Sequence, residues 1–263
     1  IMNITFDSQT KNRISSQDFW ESCIENESCL EINRLPARSN LIPALHEGVY
    51  YRNKEESELL QSLNGLWQFC YCEEDRISGF EREDFDSRIF GTIDVPSMWQ
   101  YRGYGHCEYP NICYPIPFDP PFVRKKNPVG YYRKEFYAKP SEHTILHFGG
   151  VDNCFFVWLN GTLIGFSKGS RIPAEFDLSG VIREGKNLLA VKVYTYSDAT
   201  YLENQDMLLA SGIFRDVYLL HLGAVSVYDY RLRSDRNGFD AEITFWDGDV
   251  TRLRSSSGKD GIG

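Results

Sequence analysis

Long apolar runs and the common nucleotide- and metal-binding signatures are what this sequence lacks. No stretch approaches the roughly 20 consecutive apolar residues that cross a bilayer. No apolar core follows a basic segment near residue 1, so we expect neither a membrane span nor a secretory signal. The patterns GxGxxG, GxxxxGKS/T, HExxH and GxSxG are all absent. Nucleotide binding and zinc-dependent hydrolysis are therefore unsupported, whereas a nucleophilic triad built from distant residues stays open.

Basic residues are also in the minority. The chain has 28 Lys and Arg against 37 Asp and Glu, which gives a net charge of −9. Because an acidic chain repels phosphate backbones, nucleic-acid binding is not expected. Hydrophobic residues make up 42% and charged residues 25%, which is typical of a globular protein. At roughly 150 residues per domain, 263 residues allow one large domain or two ordinary ones.

Cysteine occurs seven times, an odd number, and no second pair completes a zinc-finger spacing. In a chain without an expected signal peptide, this usage indicates free thiols in a reducing compartment and hence a cytoplasmic location. The cysteines are Cys23, Cys29, Cys70, Cys72, Cys107, Cys113 and Cys154.

Short β-runs separated by turn signals dominate the middle of the chain. In CFFVWLNGTLIGFS (154–167), Asn160-Gly161 lies between two apolar runs and is the pair favoured in a two-residue type I′ hairpin. No long helical pattern occurs in 90–222, so we predict an antiparallel jelly-roll β-sandwich over 61–223. AEFDLSGVIREGKN (174–187) has turn and short helical character. The predicted strands are 63–72, 92–96, 130–138, 144–151, the two runs within 154–167, 188–197 and 212–222.

The remaining segments have other patterns. Residues 1–60 are polar and irregular and predict an N-terminal arm, in which QDFWESCIENES could form a short helix. Residues 101–130 contain six prolines and many aromatics, which indicates a long structured loop of the kind that carries binding residues. Residues 224–250 alternate apolar and polar side chains and predict two or three strands of a second, incomplete β-domain. We expect 251–263 to be an unstructured tail.

One continuous run, HFGGVDNCFFVWLNGTLIGFSKGSRIPAEFDLSGVIREGKNLLAVKVY (147–194), is distinctive. It resembles the sugar-binding domain of family 2 glycoside hydrolases. Six further motifs narrow the resemblance to the large bacterial β-galactosidases, and together the motifs cover about residues 18–250. They are ENESCLEINRLPARS (25–39), VPSMWQ (95–100), YPNICYPIPFDPPFV (109–123), NPVGYYRKEF (127–136), TYLENQDM (200–207) and SGIFRDVYLL (211–220).

The resemblance implies a galactose-binding-like jelly roll, then an immunoglobulin-like sandwich, then a catalytic barrel. It thereby implies that residues 224–250 are the start of an immunoglobulin-like β-sandwich that is incomplete in this chain. In such enzymes two barrel glutamates, about 5–5.5 Å apart, carry out retaining hydrolysis. A (β/α)8 barrel needs about 250 residues, so none fits beside the sandwich in this chain. We therefore expect no catalytic residues here and no hydrolysis by the chain alone.

The resemblance also implies sugar and sodium contacts. Asn111 in YPNICYP matches the asparagine that hydrogen-bonds galactose, and Asp206 in ENQDM matches the aspartate that contacts the sugar and binds sodium. The chemistry is suitable, since an amide both donates and accepts hydrogen bonds and a carboxylate suits a hard cation. Tyr109, Tyr114 and Trp99 could present aromatic faces to the sugar ring.

A structural magnesium site is a further implication, since Asn26 and Asp198 match two of its positions. No cofactor is implied for this chain alone, whereas sodium and magnesium are implied for the full enzyme. The full enzyme is also implied to be a homo-oligomer that acts on β-galactosides such as lactose, with the remainder of its chain as this region's partner.

The residues alone also permit purely structural interpretations. An isolated Asn in a loop is more often an Asx-turn residue, and an isolated Asp is more often a surface or capping residue. Trp67, Trp99 and Trp158 lie in or beside predicted strands, which is typical of core residues. Three functions stay open at this point: the N-terminal sugar-binding part of a β-galactosidase, a stand-alone carbohydrate-binding module, and a non-catalytic subunit of a two-polypeptide glycosidase.

Overall fold

The computed structural model describes residues 22–46, 49, 51–123, 125–236 and 238–256, and strands dominate these ranges. In chain order the strands are β1 (Glu31–Ile32), β2 (Leu60–Ser62), β3 (Gly65–Cys72), β4 (Gly91–Val95), β5 (Val129–Ala138), β6 (His143–Phe148), β7 (Val151–Asp152), β8 (Cys154–Leu159), β9 (Thr162–Ser167), β10 (Ala174–Asp177), β11 (Gly185–Tyr194), β12 (Gly212–Ile213), β13 (Val217–Leu222), β14 (Val227–Asp235), β15 (Gly238–Phe245) and β16 (Val250–Ser256).

Helical structure is short wherever the structure describes the chain. It comprises residues 22–24, a four-residue helix at Thr200–Glu203 and 3₁₀ turns at Lys54–Glu56, Ser87–Ile89 and Trp99–Arg102. In these described ranges no helix is both long enough and apolar enough to span a membrane.

Two antiparallel sheets form the sandwich. The larger has the strand order β1-β9-β8-β11-β5-β3-β4, and the smaller has the order β10-β6-β13-β2. Two short strands, β7 and β12, pair beside them, and β14-β15-β16 form a separate three-stranded sheet. The prediction of an all-β chain with a jelly-roll sandwich is confirmed. Each strand predicted between residues 63 and 222 has a counterpart, but the strand predicted over 212–222 is divided into β12 and β13, which lie in different sheets.

The central strands β8 and β11 of the large sheet are buried on both faces over most of their length, which explains their apolar runs without alternation. All six residues of β8, CFFVWL, are buried. One face, including Val157 and Val191, packs in the main core against the small sheet, where Phe148 and Leu219 lie. The other face, including Phe156, packs under the segments 22–32 and 77–90. A strand buried on both faces has no reason to alternate.

Backbone geometry requires glycine at two positions beside or within β9. Asn160 and Gly161 have φ angles of 52° and 80°, so the type I′ hairpin between β8 and β9 is confirmed. Gly165 lies in β9, next to the residues that pair with β1. A Cβ placed there would be 2.3 Å from the carbonyl oxygen of Ile32 and 2.6 Å from the Phe176 ring. Only glycine permits this approach of the arm.

The prediction of turn and short helical character for 174–187 is wrong at its start. Ala174–Asp177 forms β10, paired with β6. Ala174 and Phe176 are in the main core, whereas Glu175 lies on the opposite face of the strand. A four-residue strand has too few alternations to be distinguished from a turn by pattern.

The second β-unit is longer than predicted. Its first two strands are confirmed, but Val250–Ser256 forms β16, so the expected unstructured tail is wrong over 251–256. Arg252 is 2.8 Å from Glu242 and Arg254 is 3.3 Å from Asp240. The polar residues that suggested a tail are therefore cross-strand charge partners. Residues 257–263 of that prediction, and 1–21 of the predicted arm, lie outside the described residues.

Candidate functional site

The proline-rich loop predicted over 101–130 is held in place by the segment that follows β11. Glu108 and Leu209 form an isolated antiparallel bridge with N···O distances of 3.3 and 2.8 Å. The Tyr201 hydroxyl is 2.9 Å from the carbonyl oxygen of Pro117 and 2.7 Å from that of Phe122. These contacts order the loop without placing it in a sheet, as its proline content requires.

Asn111 and Asp206, the two predicted sugar-binding residues, come together on the surface through Tyr109. The Tyr109 hydroxyl donates a hydrogen bond to Asp206 Oδ1, and Asn111 Nδ2 is 3.5 Å from the same hydroxyl oxygen. All three side chains are exposed. We call them the Asn111–Tyr109–Asp206 cluster. The fold thus joins residues about 95 positions apart into a surface that has donors, acceptors and a negative charge.

The aromatic predictions have mixed outcomes. Tyr109 is 37% exposed and lies in the cluster, whereas Trp99 is 1% exposed and packs 6.2 Å from the Phe69 ring centroid. The suggestion that Trp99 contacts sugar is therefore wrong, and its interpretation as a core residue is confirmed, as it is for Trp67 and Trp158. Tyr114 is half-buried and stacks on Tyr201, with ring centroids 6.0 Å apart.

Exposed apolar side chains in the proline-rich loop and in the 200–211 segment were not identified from the sequence. Ile112 is 83% exposed, Phe118 80% and Leu202 84%. Phe118 packs by its edge on Tyr114 and Tyr201, which leaves much of its ring in solvent. Their position in the loop and beside ENQD was the available signal, but pattern alone could not show that they are exposed.

A group of polar side chains that contacts the 200–211 segment was also missed; it includes the buried Asp152 and the exposed Arg171. Arg171 Nη1 donates to Asp152 Oδ2 over 2.9 Å, and Arg171 Nη2 is 3.2 Å from Met207 Sδ. Burial raises the pKa of Asp152 to about 6, although the Arg171 guanidinium opposes the rise. Glu203 accepts from the Ser170 backbone N–H over 3.0 Å. The contact between Arg171 and Met207 connects this group to the residue next to Asp206.

The predicted magnesium ligands also lie close together, but a lysine lies between them. Lys168 Nζ is 2.5 Å from Asp198 Oδ1 and 3.0 Å from the carbonyl oxygen of Asn26. The Asn26 side chain instead accepts from the Ser28 backbone N–H over 3.0 Å. Because an ammonium already lies against these oxygens, the residues do not fit a magnesium ion.

Asp206 is compatible with the implied sodium ion, but only as one ligand. Its carboxylate is exposed, and hard cations prefer such oxygens. No group of three or more His, Cys, Asp or Glu that could hold a metal ion occurs among the described residues. The seven cysteines, predicted to be free thiols, are all unpaired.

The chain is similar to known carbohydrate-active proteins. Residues 60–223 match the family model described as "Glycosyl hydrolases family 2, sugar binding domain". A β-galactosidase of Priestia megaterium is 39% identical over 83% of this chain and 22% of its own length. A β-galactosidase of Enterobacter cloacae is 42% identical over 81% of this chain and 21% of its own length. The chain therefore spans about a fifth of the length of these relatives.

Solved structures share the fold at lower identity. A β-glucuronidase from Ruminococcus gnavus superposes with a TM-score of 0.54 at 21% identity, over 76% of this chain and 38% of that chain. A β-glucuronidase from Faecalibacterium prausnitzii superposes with a TM-score of 0.54 at 17% identity, over 80% of this chain and 41% of that chain. Since the family match covers more than half of the chain and includes every strand from β2 to β13, the chain belongs to the sugar-binding-domain family of the family 2 glycosyl hydrolases.

Proposed function

We propose that this chain is the N-terminal sugar-binding part of a β-galactosidase and contributes galactose contacts without contributing catalytic groups. The observation that carries the proposal is the Asn111–Tyr109–Asp206 cluster, which unites both predicted sugar contacts on one exposed surface. Family membership supports a carbohydrate ligand, and the names of the relatives support a terminal β-D-galactoside such as lactose.

The cluster has the chemistry that a sugar hydroxyl requires. Asn111 offers a donor and an acceptor, and Asp206 offers carboxylate oxygens, one of which the Tyr109 hydroxyl holds in position. Ile112, the residue after Asn111, is exposed and offers an apolar surface for a sugar ring or for an adjoining part of the full enzyme, as does Phe118 in the same loop.

Sodium, when bound, would supply a positive charge that Asp206 and a sugar hydroxyl can share. Asp206 would be its ligand from this chain, and the other ligands would be water or groups outside the described residues. In the cluster Asp206 is a single carboxylate, whereas retaining hydrolysis uses a pair at about 5–5.5 Å. The cluster therefore binds sugar and does not cleave it.

Ligand-observed NMR with galactose tests the binding step. A few exposed hydrogen bonds contribute about 0.5–1.5 kcal/mol each, so we expect millimolar or weaker affinity. N111A and D206A should abolish the galactose signal, while D84A, an exposed aspartate in another loop, should keep it. Glucuronate should bind less than galactose because Asp206 repels its carboxylate. Equal signals for parent and D206A would refute the proposed site, and micromolar affinity would favour a stand-alone binding module.

An activity assay tests the catalytic part. We expect the purified chain to hydrolyse no β-galactoside, since no (β/α)8 barrel occurs among the described residues. The assay should use repurified protein, with turnover measured against chain concentration. Turnover that persists and scales with this chain would contradict the proposal.

A further inference from the structure

The ammonium group of Lys168 is buried where the arm meets the sandwich. Its side chain is 2% exposed, and that of its partner Asp198 is 9% exposed. Burial of a charge is costly unless opposite charge and hydrogen-bond acceptors compensate it. Here the compensation comes from the Asp198 carboxylate at 2.5 Å, the Asn26 carbonyl at 3.0 Å and the Phe166 ring, whose centroid is 5.8 Å away.

The surrounding backbone is arranged around this group. The Lys168 backbone N–H donates to the carbonyl of Leu30, and the Asp198 N–H donates to that of Ile24, each over 3.0 Å. Three carbonyls of the segment 24–30 therefore accept hydrogen bonds from Lys168 or Asp198. The ammonium makes one of these bonds and two backbone N–H groups make the others, and together they fix the segment to the sandwich.

The oxygens at this centre are of the type that a hard divalent cation selects, a carboxylate and a main-chain carbonyl. The buried Asp198 carboxylate needs a compensating positive charge, and the Asn26 carbonyl lies within hydrogen-bond distance of the same cation. The sequence resemblance implied magnesium at Asn26 and Asp198, yet the side chain of this chain's own Lys168 already supplies the charge.

We propose that the Lys168 ammonium is the resident cation of a divalent-metal-type oxygen site, so that the arm is fixed to the sandwich without a metal ion. A tethered lysine carries one positive charge and cannot be removed by a chelator. Removal of the ammonium should therefore create a requirement for divalent metal that the parent chain does not have.

Thermal unfolding of the whole chain tests this in two steps. First, the parent melting temperature should be unchanged, within about 2 °C, between chelator and millimolar magnesium at matched ionic strength. Second, K168Q, which puts a neutral amide oxygen at the site, should melt about 6–15 °C lower in chelator. Magnesium should restore much of that loss, whereas added sodium should not.

Two further variants make the result specific. K186Q removes an exposed lysine that is paired with Glu135 over 2.8 Å, and it should show neither the loss nor the magnesium response. K168Q/D198N lacks the carboxylate ligand and should lose the magnesium response. If K168Q does not fold, the parent comparison still decides: a parent that melts lower in chelator and recovers with magnesium overturns the proposal. So does a K168Q that melts like the parent, or one that is destabilised but indifferent to magnesium.

Discussion

Arg38 and Glu175 form a bidentate ion pair, with Nε 2.6 Å from Oε2 and Nη2 3.0 Å from Oε1. Both side chains are largely buried, and the third guanidinium nitrogen donates to the Tyr228 carbonyl over 3.0 Å. Burial would raise the pKa of Glu175, but hydrogen bonds from His147 and Arg38 outweigh it and hold the pKa below its usual value. One arginine therefore connects the arm, β10 and β14.

Loss of this arginine should be among the most destabilising single changes. We expect R38A to lower the free energy of unfolding by about 3–5 kcal/mol, because it leaves the Glu175 carboxylate buried without its main partner. Amide exchange should also become faster in β14. Urea unfolding and hydrogen exchange measure both effects. R252A breaks an exposed ion pair between β15 and β16, and it should leave the unfolding midpoint unchanged.

Asp152 should make stability depend on pH in a direction opposite to most carboxylates. Its pKa is raised from 3.8 to about 6 by burial, so the folded state binds an extra proton between those values. Its contribution to stability is thus largest near pH 4 and falls as the pH rises through about 6. The free energy of unfolding that is lost across this pH window is about 3 kcal/mol. Urea unfolding should be measured across this pH window for the parent and for D152N. The unfolding free energy of D152N should lack the decline, and the same pH dependence in both proteins would contradict the raised pKa of Asp152.

Tyr109 should act on sugar binding by positioning Asp206. Y109F removes the hydroxyl that donates to Asp206 Oδ1, and we expect galactose affinity to fall about 2–10-fold, the worth of one hydrogen bond. Stability should change little, and D206A should likewise stay within about 1 kcal/mol of the parent because the residue is exposed. NMR titration and urea unfolding separate the two effects. Y109F binding that equals the parent's would remove Tyr109 from the site.

Gly165 should tolerate no side chain. G165A would place a methyl group 2.3 Å from the Ile32 carbonyl oxygen, so the arm or the Phe176 ring has to move. We expect a loss of about 1–3 kcal/mol and easier proteolysis of the arm. G180A is the matched control, since nothing lies within 4 Å of its added carbon. A G165A chain as stable as G180A would show that the arm is not packed here.

Features that depend on neighbouring residues could be predicted from the sequence, whereas contacts between distant residues could not. Asn160-Gly161 specifies its own hairpin because both residues accept a positive φ. The resemblance located Asn111 and Asp206, although the tyrosine that joins them follows only from the folded loop. Lys168 lies about 140 positions from Asn26 and 30 from Asp198, so no pattern could show that its ammonium lies between them.

The long-range strand pairing has a consequence for the order in which the domain can fold. β2, near the start of the jelly roll, completes the small sheet only by pairing with β13, with Leu60 opposite Leu220. During synthesis β2 emerges well before its partner β13. The small sheet therefore cannot be completed until about residue 222 has left the ribosome. Until then the apolar faces of β3 and β5 lack their cover. We therefore expect the two sheets to pack together slowly and late. We also expect chaperones to contact the strands β3 and β5 before that happens.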